Sequence, residues 1–184
     1  MKSIGNYAFS KCSKLTSITV PFVGRSGGLW DSWFGYIFGA DHSSNNGAYV
    51  PSSLKTVVVT DATNIDNEAF RDCSSLTSIT IPSSVKSIGD DAFIGCSGLT
   101  SITIPDRVAS IGNYAFRNCS NLTSITIPSS VTSIGKWAFW DCSSLTSITF
   151  KGTRAQWNVM DKEFGWDEDI GKYTIHCTDG EITK

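Results

Sequence analysis

The chain has 184 residues and a formal net charge of −2, with 17% of its residues charged. That length suits one domain of ordinary size, and the near balance of charge leaves no broad basic field for nucleic acid or anionic lipid. No stretch approaches the roughly 18 apolar residues that a membrane-spanning helix needs, and the missing charge is made up by Ser and Thr.

The chain opens with Met1-Lys2 running directly into Ser3-Ile4-Gly5. That triplet belongs to the middle of a unit that recurs further on. The expectation is a piece of a longer protein, or a chain whose leader has been removed, because no signal peptide precedes the repeat. Phe70, Phe93, Phe116 and Phe139 are each 23 residues apart, as are Cys73, Cys96, Cys119 and Cys142. A fixed period of that size marks a solenoid, in which each coil packs only on its neighbours. The whole of 1–184 reads as one such solenoid. Residues 1–21 are a truncated first coil and 22–61 a coil broken by an aromatic insertion. Residues 62–150 are four regular coils, and 151–184 form a C-terminal cap.

Within a coil, Ile102 and Ile104 alternate with Ser101 and Thr103. Alternation of β-branched and polar residues indicates a strand with one buried face. In-register coils turn these strands into a parallel sheet on the concave side. Pro105 ends the strand because it has no amide proton for a ladder. Val108 and Ile111 then turn inward on the return side. Gly5, Gly89, Gly112 and Gly135 share one phase, with Asp66 in the same place, and predict a backbone with φ > 0. The following Ala-Phe-x-x-Cys predicts a short helical or 3₁₀ turn with Phe in the interior. Five of the six cysteines occupy one phase, so they read as a buried column of small apolar side chains. Disulfide frameworks and zinc sites use clustered spacings that do not occur here.

The pattern L-x-x-I-x-I-P-x-x-V-x-x-I-G-x-x-A-F-x-x-C resembles the BspA-like (Treponema-type) leucine-rich repeat. Leu76, Pro82, Val85, Ile88-Gly89, Ala92-Phe93 and Cys96 match it position by position. The likeness covers 62–150 well and 1–21 partly. The insertion ending at Ala40 and the tail from Gly152 to Gly180 also look like segments that accompany such repeats in gut bacterial surface proteins. The resemblance implies an α/β solenoid of right-handed coils, with short β and 3₁₀ or helical turns on the return side. It further implies a secreted or cell-surface bacterial protein that binds a host or bacterial surface protein or a glycan. The family has no shared catalytic residue to transfer.

Recognition has several candidate places. The outward columns Ser78/Thr80, Ser101/Thr103 and Ser124/Thr126 form a hydroxyl lattice. It could bind a protein or glycan, or order water, but Ser and Thr also simply suit a solvated strand, which is the plainer reading. Tyr114, Arg117, Trp137 and Trp140 fall at variable positions of adjacent coils. Trp with Arg is typical of binding hot spots, and packing beneath the cap is the even alternative. Trp30 and Trp33 have no place in the repeat, so they are a contact site or a patch packed over the solenoid edge.

In the tail, Thr153 reads as an N-cap for a short helix through about Met160, and Tyr173–Cys177 as a last strand. Asp167, Glu168 and Asp169 read as a solvated acidic turn. For catalysis only His42 and His176 exist, with no nucleophile elbow, zinc motif or phosphate loop. The expectation is a non-enzymatic chain with no cofactor and no metal. A structural spacer that projects another domain is the alternative to a binding module. Coil one has no polar cap, so Ile4, Phe9, Leu15 and Ile18 are expected to leave an apolar edge that self-associates.

Overall fold

The structure, a computed structural model, describes residues 3–24 and 32–184. Each coil contributes one short strand to a main sheet: Ser17–Val20, Thr56–Val59, Ser78–Thr80, Ser101–Thr103, Ser124–Ile127 and Ser147–Phe150, followed by Thr174–Cys177. The pairing is parallel and in register, with Ser101 against Ser124 against Ser147 and Ile102 against Ile125 against Ile148. Identical side chains therefore stack, the isoleucines into the core and the hydroxyls outward. The return side carries two-residue strands at Ser87–Ile88, Ser110–Ile111, Ser133–Ile134 and Asp161–Lys162, also parallel.

Three features depart from the sequence reading. First, the main sheet is not continuous. It falls into a three-stranded and a five-stranded block, and no ladder joins Ser78–Thr80 to Ser101–Thr103. The same two coils stay bonded on the return side, where the Phe70 amide donates to the Ala92 carbonyl at 2.7 Å.

Second, the recurrent glycines do not have positive φ. A Cβ on Gly112 would stand 2.6 Å from the backbone nitrogen of Asp90 and the carbonyl carbon of Gly89. Glycine is needed there so that successive coils can approach, not to reach a left-handed conformation. Positive φ occurs two residues later, at Tyr7, Glu68, Asp91, Tyr114 and Trp137, and again at Lys11, Asp72, Gly95, Asn118 and Asp141.

Third, these paired left-handed residues make the Ala-Phe-x-x-Cys segment of the regular coils a pair of tight turns instead of a helix. Its amides point at the next coil and extend the ladder, as in the Phe93 amide to Ala115 carbonyl bond of 2.8 Å.

The core of the regular coils is a column of parallel rings. Phe70, Phe93, Phe116 and Phe139 stack at 5.4, 5.1 and 5.2 Å between centres, tilted by 7° or less. Beside it, the thiols of Cys96, Cys119 and Cys142 donate to the carbonyls of Phe70, Phe93 and Phe116 at 3.1–3.2 Å. The column is free of disulfides and buried at Cys73, Cys96, Cys119 and Cys142, whereas Cys12, expected in it, is half-buried in the end coil; burial pushes the Cys73, Cys96 and Cys119 thiols up. A side-chain ladder adds further links between coils. Asn67, Asp90 and Asn113 each accept, through Oδ1, the amide of the residue 23 positions on, at 2.7–2.9 Å.

In the interrupted coil, a 3₁₀ turn at Phe34–Phe38 replaces the Ala-Phe segment. Toward the first coil Tyr36-Ile37-Phe38 takes that role, where the Phe9 amide donates to the Ile37 carbonyl at 2.8 Å. Toward the third coil it is Phe34 that continues the ring column, 5.2 Å from Phe70. This turn thus buries two phenylalanines, Phe34 and Phe38, where the Ala-Phe segment of a regular coil buries one. Buried Asn46 holds the turn by accepting the Gly35 amide at 2.6 Å.

In the tail, Thr153 caps a helix at Arg154–Val159 through a capping box with Gln156. Trp166 stands edge-on to Phe139 at 6.1 Å and continues the ring column with an indole. Strand Thr174–Cys177 buries Ile175 and half-buries Cys177, and an unforeseen antiparallel strand at Gly180–Thr183 covers its far edge. At the opposite end, Ile4 is only 8% exposed, contrary to expectation, while Phe9, Leu15 and Ile18 are partly buried.

Candidate binding surfaces

The variable positions converge on one ridge that crosses the last two regular coils. Tyr114 and Trp137 each occupy the left-handed position before their Ala-Phe pair, so equal backbone geometry superposes their side chains. Their ring centres are 5.3 Å apart, and Trp137 lies 5.8 Å from Trp140. The Arg117 guanidinium sits between rings, 4.1 Å from the centre of Trp140 and 5.6 Å from that of Tyr114. Its Nε is buried without a hydrogen-bond partner among the described residues. A cation over an indole face is held by the ring quadrupole, and more strongly where water is excluded.

Sequence reasoning brought those four residues together but missed three groups around them. Lys136 places Nζ 3.6 Å from the Trp137 ring centre. Phe164, from the tail, stands edge-on to Trp137 at 6.3 Å and is 76% exposed. The acidic turn is not merely solvated, because Glu168 accepts the Trp137 indole proton at 2.8 Å and Asp169 accepts that of Trp140 at 2.6 Å. Asp167 accepts the Tyr173 hydroxyl and is met by Lys184 at 3.0 Å. The only signal of these in the sequence was a run of acids beside a lone Phe. The ridge is thus half buttressed by the tail and half open, which joins the two alternatives posed for it.

The hydroxyl columns face outward as expected. Ser78, Thr80, Ser101 and Thr103 line a groove of about 850 Å³ that lies where the main-sheet ladder is missing. Arg107 and the ion pair of Lys151 with Asp106, at 2.8 Å, bound it. Ser124 and Thr126, one strand on, are half-buried and not part of that groove.

Trp33 is half-buried at the mouth of a second cavity, of about 400 Å³, between the insertion and the third and fourth coils. Trp30 lies outside the described residues. His42 and His176 are not brought together: His42 accepts the Ser44 amide at 3.2 Å, and His176 pairs with Glu181 at 2.9 Å. Among the described residues no three His, Cys, Asp or Glu side chains are grouped to hold a metal. No helix among them is long and apolar enough to cross a membrane.

A solenoid of parallel in-register strands, with one leucine and one phenylalanine packed per regular coil, defines a leucine-rich-repeat protein. More narrowly, the chain belongs to the BspA-type leucine-rich repeat family, whose sequence profile matches residues 1–25 and 44–161 in six copies. It is similar to a leucine-rich cell surface protein of Faecalibacterium prausnitzii A2-165, at 38% identity and a TM-score of 0.57, over 59% of this chain and 29% of that one. It is also similar to a leucine-rich repeat protein of Bacteroides ovatus ATCC 8483, at 27% identity and a TM-score of 0.59, over 90% and 37% of the two chains. A third likeness is to the T. pallidum leucine-rich repeat protein, at 29% identity and a TM-score of 0.56, over 63% and 56%. The matches thus span between 29% and 56% of the lengths of these proteins. No curated protein matches the chain.

Proposed function

We propose that the chain is a non-enzymatic binding module of a bacterial cell-surface or secreted protein, acting in adhesion. Residues 1–184 would form one solenoid domain with 151–184 as its cap. Its principal contact would be the ridge of Tyr114, Arg117, Trp137 and Trp140, with Phe164 at its open end. The observation that carries this reading is the Arg117 guanidinium held between aromatic rings on a ridge whose Trp137 packs against a 76% exposed phenylalanine. Rigid aromatics next to a partly desolvated arginine are the chemistry of protein–protein hot spots. A surface location is supported by the likeness to the cell surface protein of F. prausnitzii. The partner is a protein, or a glycan, on host or bacterial surfaces.

The test is capture of matrix proteins, epithelial cells and bacterial cells by the immobilised chain, compared with Trp140→Ala and Phe164→Ser. Micromolar capture that both variants weaken supports the ridge. Capture by neither the parent chain nor the variants ends the reading. A structural spacer remains the second reading, favoured by the indole bonds to Glu168 and Asp169, which tie the ridge to the tail. A spacer captures nothing and loses stability when those bonds are cut. Through its open end we also propose weak self-association. Strand Ser17–Val20 pairs with Thr56–Val59 on one side and with no strand among the described residues on the other.

A further inference from the structure

The cavity beside Trp33 is lined differently from the ridge. On one side it has the Trp33 indole, whose Nε1 donates to the Ala40 carbonyl at 3.4 Å. The His42 ring lies at 6.0 Å from that indole, tilted by 32°, so the two rings form one wall. A second part of the wall comes from the third coil, with Asn64, Asp66, Asn67 and Glu68, and from the fourth, with Ser87 and Gly89.

The groups of that wall are already oriented. Asn64 Oδ1 accepts from the Ser87 hydroxyl at 3.0 Å, and Asn67 Oδ1 accepts the Asp90 amide at 2.9 Å. Each amide oxygen is therefore in use, and each Nδ2 is left as a donor without a partner among the described residues. Glu68 is taken up by the Ser43 hydroxyl and by Arg71. Asp66 is half-buried, and burial pushes its carboxyl up against a single opposing hydrogen bond from Ser32. Among the described residues no other side-chain donor reaches it. Together these groups present fixed donors beside a fixed acceptor in a cavity that an aromatic plate also lines.

We propose that this cavity is a carbohydrate subsite that takes one neutral pyranose of a glycan, its C–H face on Trp33 and adjacent hydroxyls bridging Asp66 and the Asn64 and Asn67 amides. A pyranose has that amphipathic form: one apolar face, and an edge of hydroxyls that each donate and accept. The volume of about 400 Å³ falls inside the range of small-molecule sites. Among the described residues no lysine or arginine lines the cavity and two carboxylates do, so a sialic or uronic acid would be repelled. The groups are held before the ligand arrives, which lowers the ordering cost of binding. The inference rests on the reading of the chain as a binding module but not on the aromatic ridge, which belongs to later coils.

The test is saturation-transfer NMR of the full chain with the methyl pyranosides of glucose, galactose, mannose and N-acetylglucosamine, with methyl glucuronide and choline as counter-probes. Transfer to at least one neutral pyranoside, strongest at ring protons of one face, is expected. Asp66→Asn should weaken that ligand at least about tenfold, because one hydrogen bond to a charged group is lost. Trp33→Ala should abolish transfer. Asp66→Asn keeps the test valid should Trp33→Ala disturb the fold, and a thermal melt reports which has happened. Absence of transfer to all four pyranosides overturns the proposal, as does transfer to choline or methyl glucuronide alone. Unchanged binding in a folded Asp66→Asn also overturns it. Sugar binding without protein capture, or the reverse, separates this site from the ridge.

Discussion

The Arg117 guanidinium carbon lies 4.1 Å from the ring centre of Trp140, a residue of the following coil. The contact links two coils through side chains, in parallel with the backbone bond from the Asn118 amide to the Trp140 carbonyl at 2.9 Å. A double-mutant cycle of Arg117→Ala and Trp140→Ala, read by urea unfolding, should give a coupling of roughly 0.5–1 kcal/mol. Arg117→Lys should recover only part of it, since an ammonium lacks the planar face that stacks on an indole.

Two glycines of the same repeat phase should behave oppositely. A Cβ at Gly112 meets backbone atoms at 2.6 Å, which cannot move without opening the stack. Gly112→Ala should cost about 1–3 kcal/mol, as other overpacked sites do. A Cβ at Gly5 meets nothing within 4 Å among the described residues. Gly5→Ala should be neutral or stabilising by up to about 1 kcal/mol, by reducing the freedom of the unfolded chain. Equal melting shifts for the two would remove close approach as the reason for glycine.

The cysteine column should set an alkaline limit to stability. In the folded chain burial holds the Cys73, Cys96 and Cys119 thiols protonated, whereas in the unfolded chain they ionise near pH 8.5. The folded state therefore binds more protons above that pH, and stability falls as pH rises. Each such thiol contributes a slope of up to about 1.4 kcal/mol per pH unit. Denaturant midpoints measured from pH 7 to 10 should be flat first and then drop. In the native chain a thiol reagent should label Cys12 and Cys177, which are half-buried, and spare Cys73, Cys96, Cys119 and Cys142 until unfolding.

Self-association through the first strand is tested at its exposed edge. Sedimentation of the parent chain should show a concentration-dependent species. Thr19→Lys, which puts a charge on that edge without touching the core, should shift it toward monomer, since edge lysines oppose strand pairing. A parent chain that stays monomeric at high concentration would remove the proposal.

Much of this was legible because a solenoid repeats its physics. Phe116 and Cys119 occupy the same environment as Phe93 and Cys96, so one coil's pattern assigns the others, and the neighbourhood of Tyr114, Arg117, Trp137 and Trp140 follows from a shift of 23 residues. The glycine reading failed because recurrence shows that glycine is needed without showing why. Positive φ and a missing Cβ leave the same mark, and only the 2.6 Å approach of Gly112 to the preceding coil separates them.

The sequence by itself determined the coil, its buried face and the order of stacking, since these depend on local alternation and on period. The tertiary structure decided whatever joins segments that share no period. It placed Glu168 and Asp169 on the indole protons of Trp137 and Trp140, and Trp33 in the lining of one cavity with Asp66. It also left Ser78–Thr80 unpaired with Ser101–Thr103. Those contacts depend on where an insertion and a tail fold back on the stack, and no spacing in the chain encodes that.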